Sequence, residues 1–263
     1  MEHFGEEITG LLDFLKTHDL PGTPHITNYV VFLAIGTVLV LVILLAARAK
    51  VALKPTSRFY NLIEALVEFV RNDLAIANIG PDGARYFPFL GTVFFFITMN
   101  NLIGTIPGMK PGTGTMGVTV ALALFAFIFF NAAGMQKKGV GGYIKGIVPH
   151  GVPGVLWPVI WVIEVISLLV RPFTLSIRLF ANMYAGHIVL GIFSILTSIG
   201  VEQIISGIQG AGVANIAIGG ISTIAWMLLL TALYLLEIGV AVLQAYIFTL
   251  LTTVYISLAV AEH

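Results

Sequence analysis

Cysteine is absent from this chain of 263 residues, and charged residues make up only 10% of it. The absence of cysteine excludes disulfide frameworks, iron–sulfur clusters and cysteine zinc sites. Soluble proteins carry about 25% charged residues and are about 45–50% apolar with glycine included. Here 58% of the residues are hydrophobic before the 28 glycines are added. So few charges could not cover a water-facing surface, and we therefore expect an integral membrane protein.

The charge balance also excludes a nucleic-acid-binding protein, because 13 basic and 13 acidic residues give no net field to attract phosphates. The first 25 residues are acidic, which is the reverse of a secretory signal, and we assign 1–25 to an outer N-terminal segment. Ile8, Leu11, Leu12 and Leu15 recur there at helical spacing. This spacing predicts a short amphipathic helix at the membrane interface, with a loose tail as the alternative.

Three apolar runs can each cross a hydrocarbon core about 30 Å thick, which takes roughly 20 helical residues. The runs are 26–47, 87–106 and 117–135. All three lie in a first membrane unit, to which we assign residues 26–155. Basic residues follow the first and third runs, so the positive-inside rule places those ends in the cytoplasm and the N-terminus outside.

Residues 57–79 between the first two runs are amphipathic. Leu62, Leu66, Phe69 and Val70 can share one helical face, with charged residues on the others. We interpret this stretch as a helix lying on the cytoplasmic surface rather than as a span.

The remaining unit, 156–263, contains two apolar stretches, 157–198 and 216–261, each about twice the length of one span. Glycines between them mark a turn: Gly200, Gly207, Gly210 and Gly212. Each stretch would be roughly 60 Å long as a helix, so it either contains two short spans or lies strongly tilted. The lack of turn residues within them favours a tilted hairpin. The sequence thus predicts an all-α fold with five crossings and a cytoplasmic C-terminus.

Ionisable residues in membrane spans are rare and costly, yet this hairpin concentrates them. Residues that are 4, 7, 11 or 14 positions apart lie on nearly the same face of a helix. Counted from Arg178, these spacings give one polar stripe on the first arm of the hairpin, 157–198. The stripe consists of Glu164, Ser167, Arg171, Thr174, Arg178 and Asn182. His187 points about half a turn away. On the second arm, one face carries Tyr234, Glu237, Gln244 and Tyr255.

Structural roles for these residues are the main alternative. Polar side chains can hold membrane helices together, and Glu164 and Arg171 could form an ion pair. Arg171 precedes Pro172, where a kink could offer it backbone carbonyls. The sequence indicates no catalytic residue, cofactor or metal site: one intramembrane histidine cannot supply two haem ligands, and the glycine loop at 108–117 has Lys110 before its glycines, not after them as a phosphate-binding loop requires.

An arginine suits a permanent positive charge, because it is not deprotonated in proteins. A carboxyl in lipid keeps its proton, since burial can raise its pKa by as much as 3–5, whereas an adjacent arginine lowers the pKa by about 1–3. A carboxyl that passes Arg178 would therefore lose its proton and regain one before it faces lipid. Titratable groups on either side of Arg178 would form wet half-paths to opposite membrane surfaces.

These residues resemble a known family. The stretch 171–187, RPFTLSIRLFANMYAGH, closely resembles a signature of subunit a of F-type ATP synthases, and 237–251, EIGVAVLQAYIFTLL, resembles its C-terminal signature. The stretch 101–108, NLIGTIPG, is similar to its second-span motif. The resemblance covers roughly 25–260.

The resemblance implies a stator subunit beside a ring of c subunits, with peripheral-stalk b subunits and the rest of the F1Fo complex as further partners and ATP chemistry on other subunits. Arg178 matches the arginine that separates the two half-channels. Glu164 and Ser167 match the cytoplasmic half-path. The path from the outside is matched by Asn182, His187, Glu237 and Gln244. Arg171 matches a supporting basic position, and Tyr234 shares the face of Glu237.

Two other functions remain open at this stage. A self-contained secondary transporter could use Arg178 to bind an anionic substrate, although such transporters often show internal repeats and none is evident. A purely structural anchor would make the polar stripe costly. A bacterial inner membrane is expected, because the N-terminus does not have the pattern of a transit peptide, and H⁺ is the default coupling ion.

Overall fold

The computed structural model describes residues 2–15, 19–20, 23–49, 57–146, 153 and 156–261. The N-terminal segment forms helix α1, Glu2–Leu15, which confirms the helix predicted from the leucine spacing. Two short antiparallel strands follow, β1 (Asp19–Leu20) and β2 (Thr23–Thr27). This pair was not predicted, because so short a pairing leaves no periodic signal in the sequence.

The three predicted single spans are helices α2 (Asn28–Ala49), α5 (Gly83–Gly104) and α6 (Met116–Lys138). Their bounds lie within a few residues of the prediction, since apolar runs without a charge continue as helices until charged or turn-forming residues follow. The segment between α5 and α6 is a non-helical loop, as its glycines and prolines indicated.

The amphipathic stretch is helical throughout, as predicted, but part of it is wound as a π-helix. Helix α3 (Arg58–Glu68) leads into a π-helical segment, Phe69–Ile76, and then into α4 (Ala77–Ile79). The predicted apolar face was wrong in one residue: Leu62 is 57% exposed, whereas Ile63 is buried. Ile63 lies seven positions before the fully buried Val70 and so shares its face, which turns Leu62 away.

The glycines and prolines of 139–158 predict a linker after α6. A six-residue helix, α7 (Val140–Lys145), interrupts this linker. It folds back onto α6, where the ring of Tyr143 packs over Gly134. Part of this predicted linker, 147–152 and 154–155, lies outside the described residues.

The two long arms are the helices α8 (Trp157–Ser206) and α9 (Val213–Val260), which pack against each other. Each is continuous, so the alternative of two short spans per arm was wrong. Pro172 lies inside α8 without ending it. In the described part of the chain, five helices are long and apolar enough to cross a membrane.

The turn between the arms is shorter than the glycine pattern suggested. It comprises the π-helical residues Gly207–Ala211 and Gly212, and both Gly210 (φ 120°) and Gly212 (φ 102°) adopt positive φ, which is costly for other residues. Gly200 was wrongly assigned to the turn. It lies buried inside α8, where Thr223 of α9 approaches it too closely for a side chain to fit.

Candidate functional site

The polar stripe of α8 follows a border between a packed face and an open face. The residues that come directly after its last four members are buried: Pro172, Leu175, Leu179 and Met183. The residues that come directly before its members, Val170, Phe173, Ile177 and Ala181, are exposed. Because one residue turns a helix by about 100°, the stripe lies at the edge of the protein-packed face.

Arg178 is half-buried on this border. Within the part of the chain that the structure describes, its guanidinium has no hydrogen-bond or ion-pair partner. A guanidinium carries five N–H donors in a planar fork, and an unpaired charge in a membrane helix is costly. The arrangement therefore leaves a fixed cation available to a group outside this chain.

Arg171 lies about two turns before Arg178 and contacts an aromatic ring. Its guanidinium carbon lies 5.0 Å from the ring centroid of Tyr255 on α9, which is within the range of a cation–π interaction. Its charge also reaches Tyr143 of α7, where it lowers the pKa of the phenol while burial, the larger effect, raises it. The guanidinium of Arg171 thus contacts a ring of α9 and acts through its charge on a phenol of α7.

Glu164 and Ser167 lie nearer the N-terminal end of α8. Glu164 is half-buried and Ser167 is exposed. Neither carries a hydrogen bond among the described residues, so both remain accessible along the stripe.

Asn182 joins the two arms. Its Nδ2 donates a hydrogen bond of 2.7 Å to Oε1 of Gln244 on α9. Gln244 is 2% exposed, and its Nε2 is a buried donor without a partner in the described residues. This hydrogen bond thus connects the polar stripe of α8, which we call the Arg178 stripe, to the polar face of α9. Nε2 of Gln244 remains without a partner in the described residues.

Glu237 is 5% exposed, and its Oε1 has no hydrogen-bond partner in the described residues. Its carboxylate lies directly over Gly186 of α8, where a Cβ would collide with it. Gly186 precedes His187, so the two expected partners of the outer path lie on facing helices. The carboxylate of Glu237 and the imidazole of His187 are not hydrogen-bonded in this structure, and their interaction stays a prediction.

His187 and Tyr234 line a cavity of about 200 Å³ between the hairpin and α1. Its other walls come from α1, from the segment that follows α5, and from one face of α8: Leu11, Phe14, 104–109, Leu190, Gly191 and Ser194. Of the predicted residues of the outer path, His187 thus lies at a cavity beside the N-terminal segment.

A second polar cluster supports α9 and was not predicted. Nδ2 of Asn101 on α5 donates to the carbonyl oxygen of Ala241, at 3.3 Å, and Oδ1 of Asn101 accepts a short hydrogen bond from Thr113. Ala241 lies between Glu237 and Gln244, so Asn101 fixes the backbone that carries both. The 101–108 motif contained this asparagine, but its partner lies 140 residues away and no local pattern could indicate it.

No group of three or more metal-ligating side chains is present in the described ranges. What the arrangement provides instead is a cation on an open border, a polar bridge between two helices, and an acid and a histidine beside a cavity. The acid and the histidine can hold and pass protons, the amides can orient water, and the fixed cation can stabilise a carboxylate.

Comparison with known proteins places this arrangement in one family. The family model of the ATP synthase A chain matches residues 29–257. The chain is 39% identical to an ATP synthase subunit a from Myxococcus xanthus over 99% of its own length and 79% of that protein. It is 38% identical to those of Anaeromyxobacter dehalogenans, over 95% of this chain and 61% of that protein, and of Nocardioides sp., over 90% and 83%. This chain therefore belongs to the ATP synthase A chain family, the subunit a family of F-type ATP synthases.

Proposed function

We propose that this proton-conducting stator subunit of a bacterial ATP synthase uses Arg178 as the fixed charge between two half-channels. The observation that carries the proposal is a half-buried guanidinium in a membrane helix with no partner among the described residues. A carboxyl on a neighbouring ring of c subunits would supply that partner. The arginine favours the ionised carboxylate and prevents protons from passing directly between the two half-channels.

The half-channel from the outside follows Asn182, His187, Glu237 and Gln244. Support comes from the hydrogen bond between Asn182 and Gln244, from the position of the Glu237 carboxylate over Gly186, and from the cavity that His187 shares with Tyr234. These groups form a series from the cavity towards the Arg178 stripe, and each can donate or accept a proton or orient water.

The cytoplasmic half-channel begins at Glu164 and Ser167, on the other side of Arg178 along α8. Their place on the same stripe supports this assignment. Arg171 has a supporting role, since its guanidinium lies over the Tyr255 ring of α9 and its charge reaches Tyr143 of α7. The chain would then lie in a bacterial inner membrane with α1 outside and the C-terminus in the cytoplasm, beside peripheral-stalk b subunits, and with H⁺ as the coupling ion.

The rival function, transport of an anionic substrate bound by Arg178, has less support. An anion site needs a pocket around the guanidinium, whereas Arg178 lies on a border whose other side is an open helix face. That geometry fits a large partner better than a small ligand.

The test is ATP-driven proton pumping by inverted membrane vesicles that carry the assembled complex. Arg178→Ala should abolish pumping because no fixed charge separates the half-channels. Arg178→Lys should also fail, since a buried lysine can deprotonate and lacks the planar fork. Arg85→Ala, which removes an exposed arginine of α5, is the control and should pump normally. Normal pumping by either Arg178 variant would contradict the proposed role.

A further inference from the structure

Lys110, in the loop between α5 and α6, is unexpectedly buried. It is 4% exposed, and its ammonium nitrogen lies 4.7 Å from the ring centroid of Phe14 and 4.9 Å from that of Tyr29. Both distances are within cation–π range. Burial lowers the pKa of Lys110, while the nearby Asp13 carboxylate raises it. The lysine is thus held between two rings and beside an acid.

Two of these three neighbours belong to α1. Phe14 and Asp13 lie in its last turn, whereas Tyr29 begins α2. One turn earlier, Leu11 packs against Gly191 of α8, in space that a side chain at position 191 would occupy. These contacts attach α1 to the loop at one point and to α8 at another. We call the group of Lys110, Asp13, Phe14 and Tyr29 the Lys110 clasp.

The helix that the clasp attaches also forms a wall of the cavity that contains His187 and Tyr234. Leu11 and Phe14 line this cavity, and so do residues just before Lys110 in the loop. Movement of α1 would therefore open this cavity, whereas the described hydrogen bonds within the hairpin would remain.

We propose that Lys110 is a positioning residue: it holds α1 as the outer wall of the cavity that leads to His187. The inference rests on the proposed function of that cavity as the mouth of the outer half-channel. Lys110 acts through α1 and does not itself pass protons. Its ammonium joins the loop to α1 through charge, so a change of charge at either end should move α1.

The experiment measures how fast a buried thiol becomes accessible. Because the chain has no cysteine, Leu190→Cys introduces a single reporter in it, at a cavity-lining residue that is 7% exposed. The purified complex is treated with a hydrophilic maleimide, and labelling of this subunit is followed by mass spectrometry. Asp13→Lys places a cation beside Lys110, and the repulsion should separate the Lys110 ammonium from the Phe14 ring. Because one desolvated cation–π contact is lost, the labelling rate should rise by about tenfold.

Two further variants distinguish positioning from general damage. Lys110→Glu should also open the cavity, because it places an anion beside Asp13. The exchanged pair Lys110→Glu with Asp13→Lys should return labelling close to its original rate. Glu6→Lys is the matched control, since it makes the same charge change at an exposed position of the same helix, and it should leave labelling unchanged.

The outcomes separate this inference from the proposed function. Unchanged labelling in Asp13→Lys, or equal opening by Glu6→Lys, would overturn the role of Lys110 while proton pumping still depended on Arg178. Opening that the exchanged pair reverses would support the clasp. If that pattern were seen while Arg178→Ala pumped normally, the clasp would stand and the proposed function would fail.

Discussion

The carboxylate of Glu237 can lie against α8 because residue 186 has no side chain. An added Cβ at Gly186 would collide with both carboxylate oxygens. The glycine therefore brings a buried acid on α9 next to the helix that carries Arg178 and His187. Close approach of a neighbouring group is a common reason for glycine inside a helix.

Gly186→Ala should displace the Glu237 carboxylate and strongly reduce proton pumping, while the complex still assembles. Overpacking of this kind costs about 1–3 kcal/mol, which is too little to unfold a large membrane assembly. Gly239→Ala is the control, since a Cβ there would meet nothing within 4 Å, and it should pump normally. The measurement is proton uptake by inverted vesicles with equal amounts of assembled complex. Equal pumping by both variants would show that the position of Glu237 does not matter.

The sequence predicts the polar stripe of α8 but not the contacts that its side chains make. The stripe through Arg178 follows from helical phase alone, and the structure leaves it on one border of α8 as a single line. The contacts of Arg171 with Tyr255, and the bond between Asn101 and Ala241, join helices far apart in sequence. Periodicity within one helix contains no information about them. Lys110 looked like an ordinary loop lysine, because its burial depends on α1.

At the scale of elements, close packing of the arms depends on a pair of glycines near their turn. A Cβ at Gly219 of α9 would lie 2.8 Å from the carbonyl oxygen of Gly200 and 2.8 Å from the backbone nitrogen of Ile204, both on α8. Backbone atoms cannot yield as the end of a flexible side chain can. The two helices therefore approach at a distance that only glycine permits here.

Gly219→Ala should force the arms apart at this end and destabilise the folded subunit by about 1–3 kcal/mol. Gly220→Ala, one residue later, would meet nothing within 4 Å and should be neutral or stabilising by up to about 1 kcal/mol from helix propensity. Thermal unfolding of the purified subunit in one detergent compares the two. A lower midpoint for Gly220→Ala than for Gly219→Ala would contradict the packing described.

The helices themselves were largely predictable, because uninterrupted apolar runs leave few alternatives to a helix in lipid. The exceptions have physical reasons. Gly200 resembled the turn glycines in sequence but serves helix packing, as Gly219 does. No residue pattern predicts the π-helical turns at 69–76 and 207–211.

At the scale of the whole molecule, the open face beside the Arg178 stripe should meet the ring of c subunits. Thr174→Cys would place a thiol on the stripe one turn before Arg178, where Thr174 is exposed and bonds only to its own helix. In assembled complex, oxidation with single-cysteine variants of subunit c should give cross-links to this position. The measurement is the shift in mobility of the cross-linked product.

Thr92→Cys is the matched control for that cross-link. Thr92 is also an exposed threonine that donates to a carbonyl of its own helix, but it lies on α5. It should give no product with subunit c. Cross-linking at position 92 in place of position 174 would assign the ring to a different face, and the half-channel scheme would then lose its geometric basis.

The polar connections near Arg178 also have a mechanical consequence. Asn182 bonds to Gln244 on α9, and Asn101 of α5 holds the α9 backbone at Ala241. A lateral force that a rotating ring exerts on α8 is therefore transmitted through α9 to α5. It is not taken up by bending of α8 alone. Asn182 and Gln244, which we propose line a route for protons, would thus also brace the stationary half of the machine against torque.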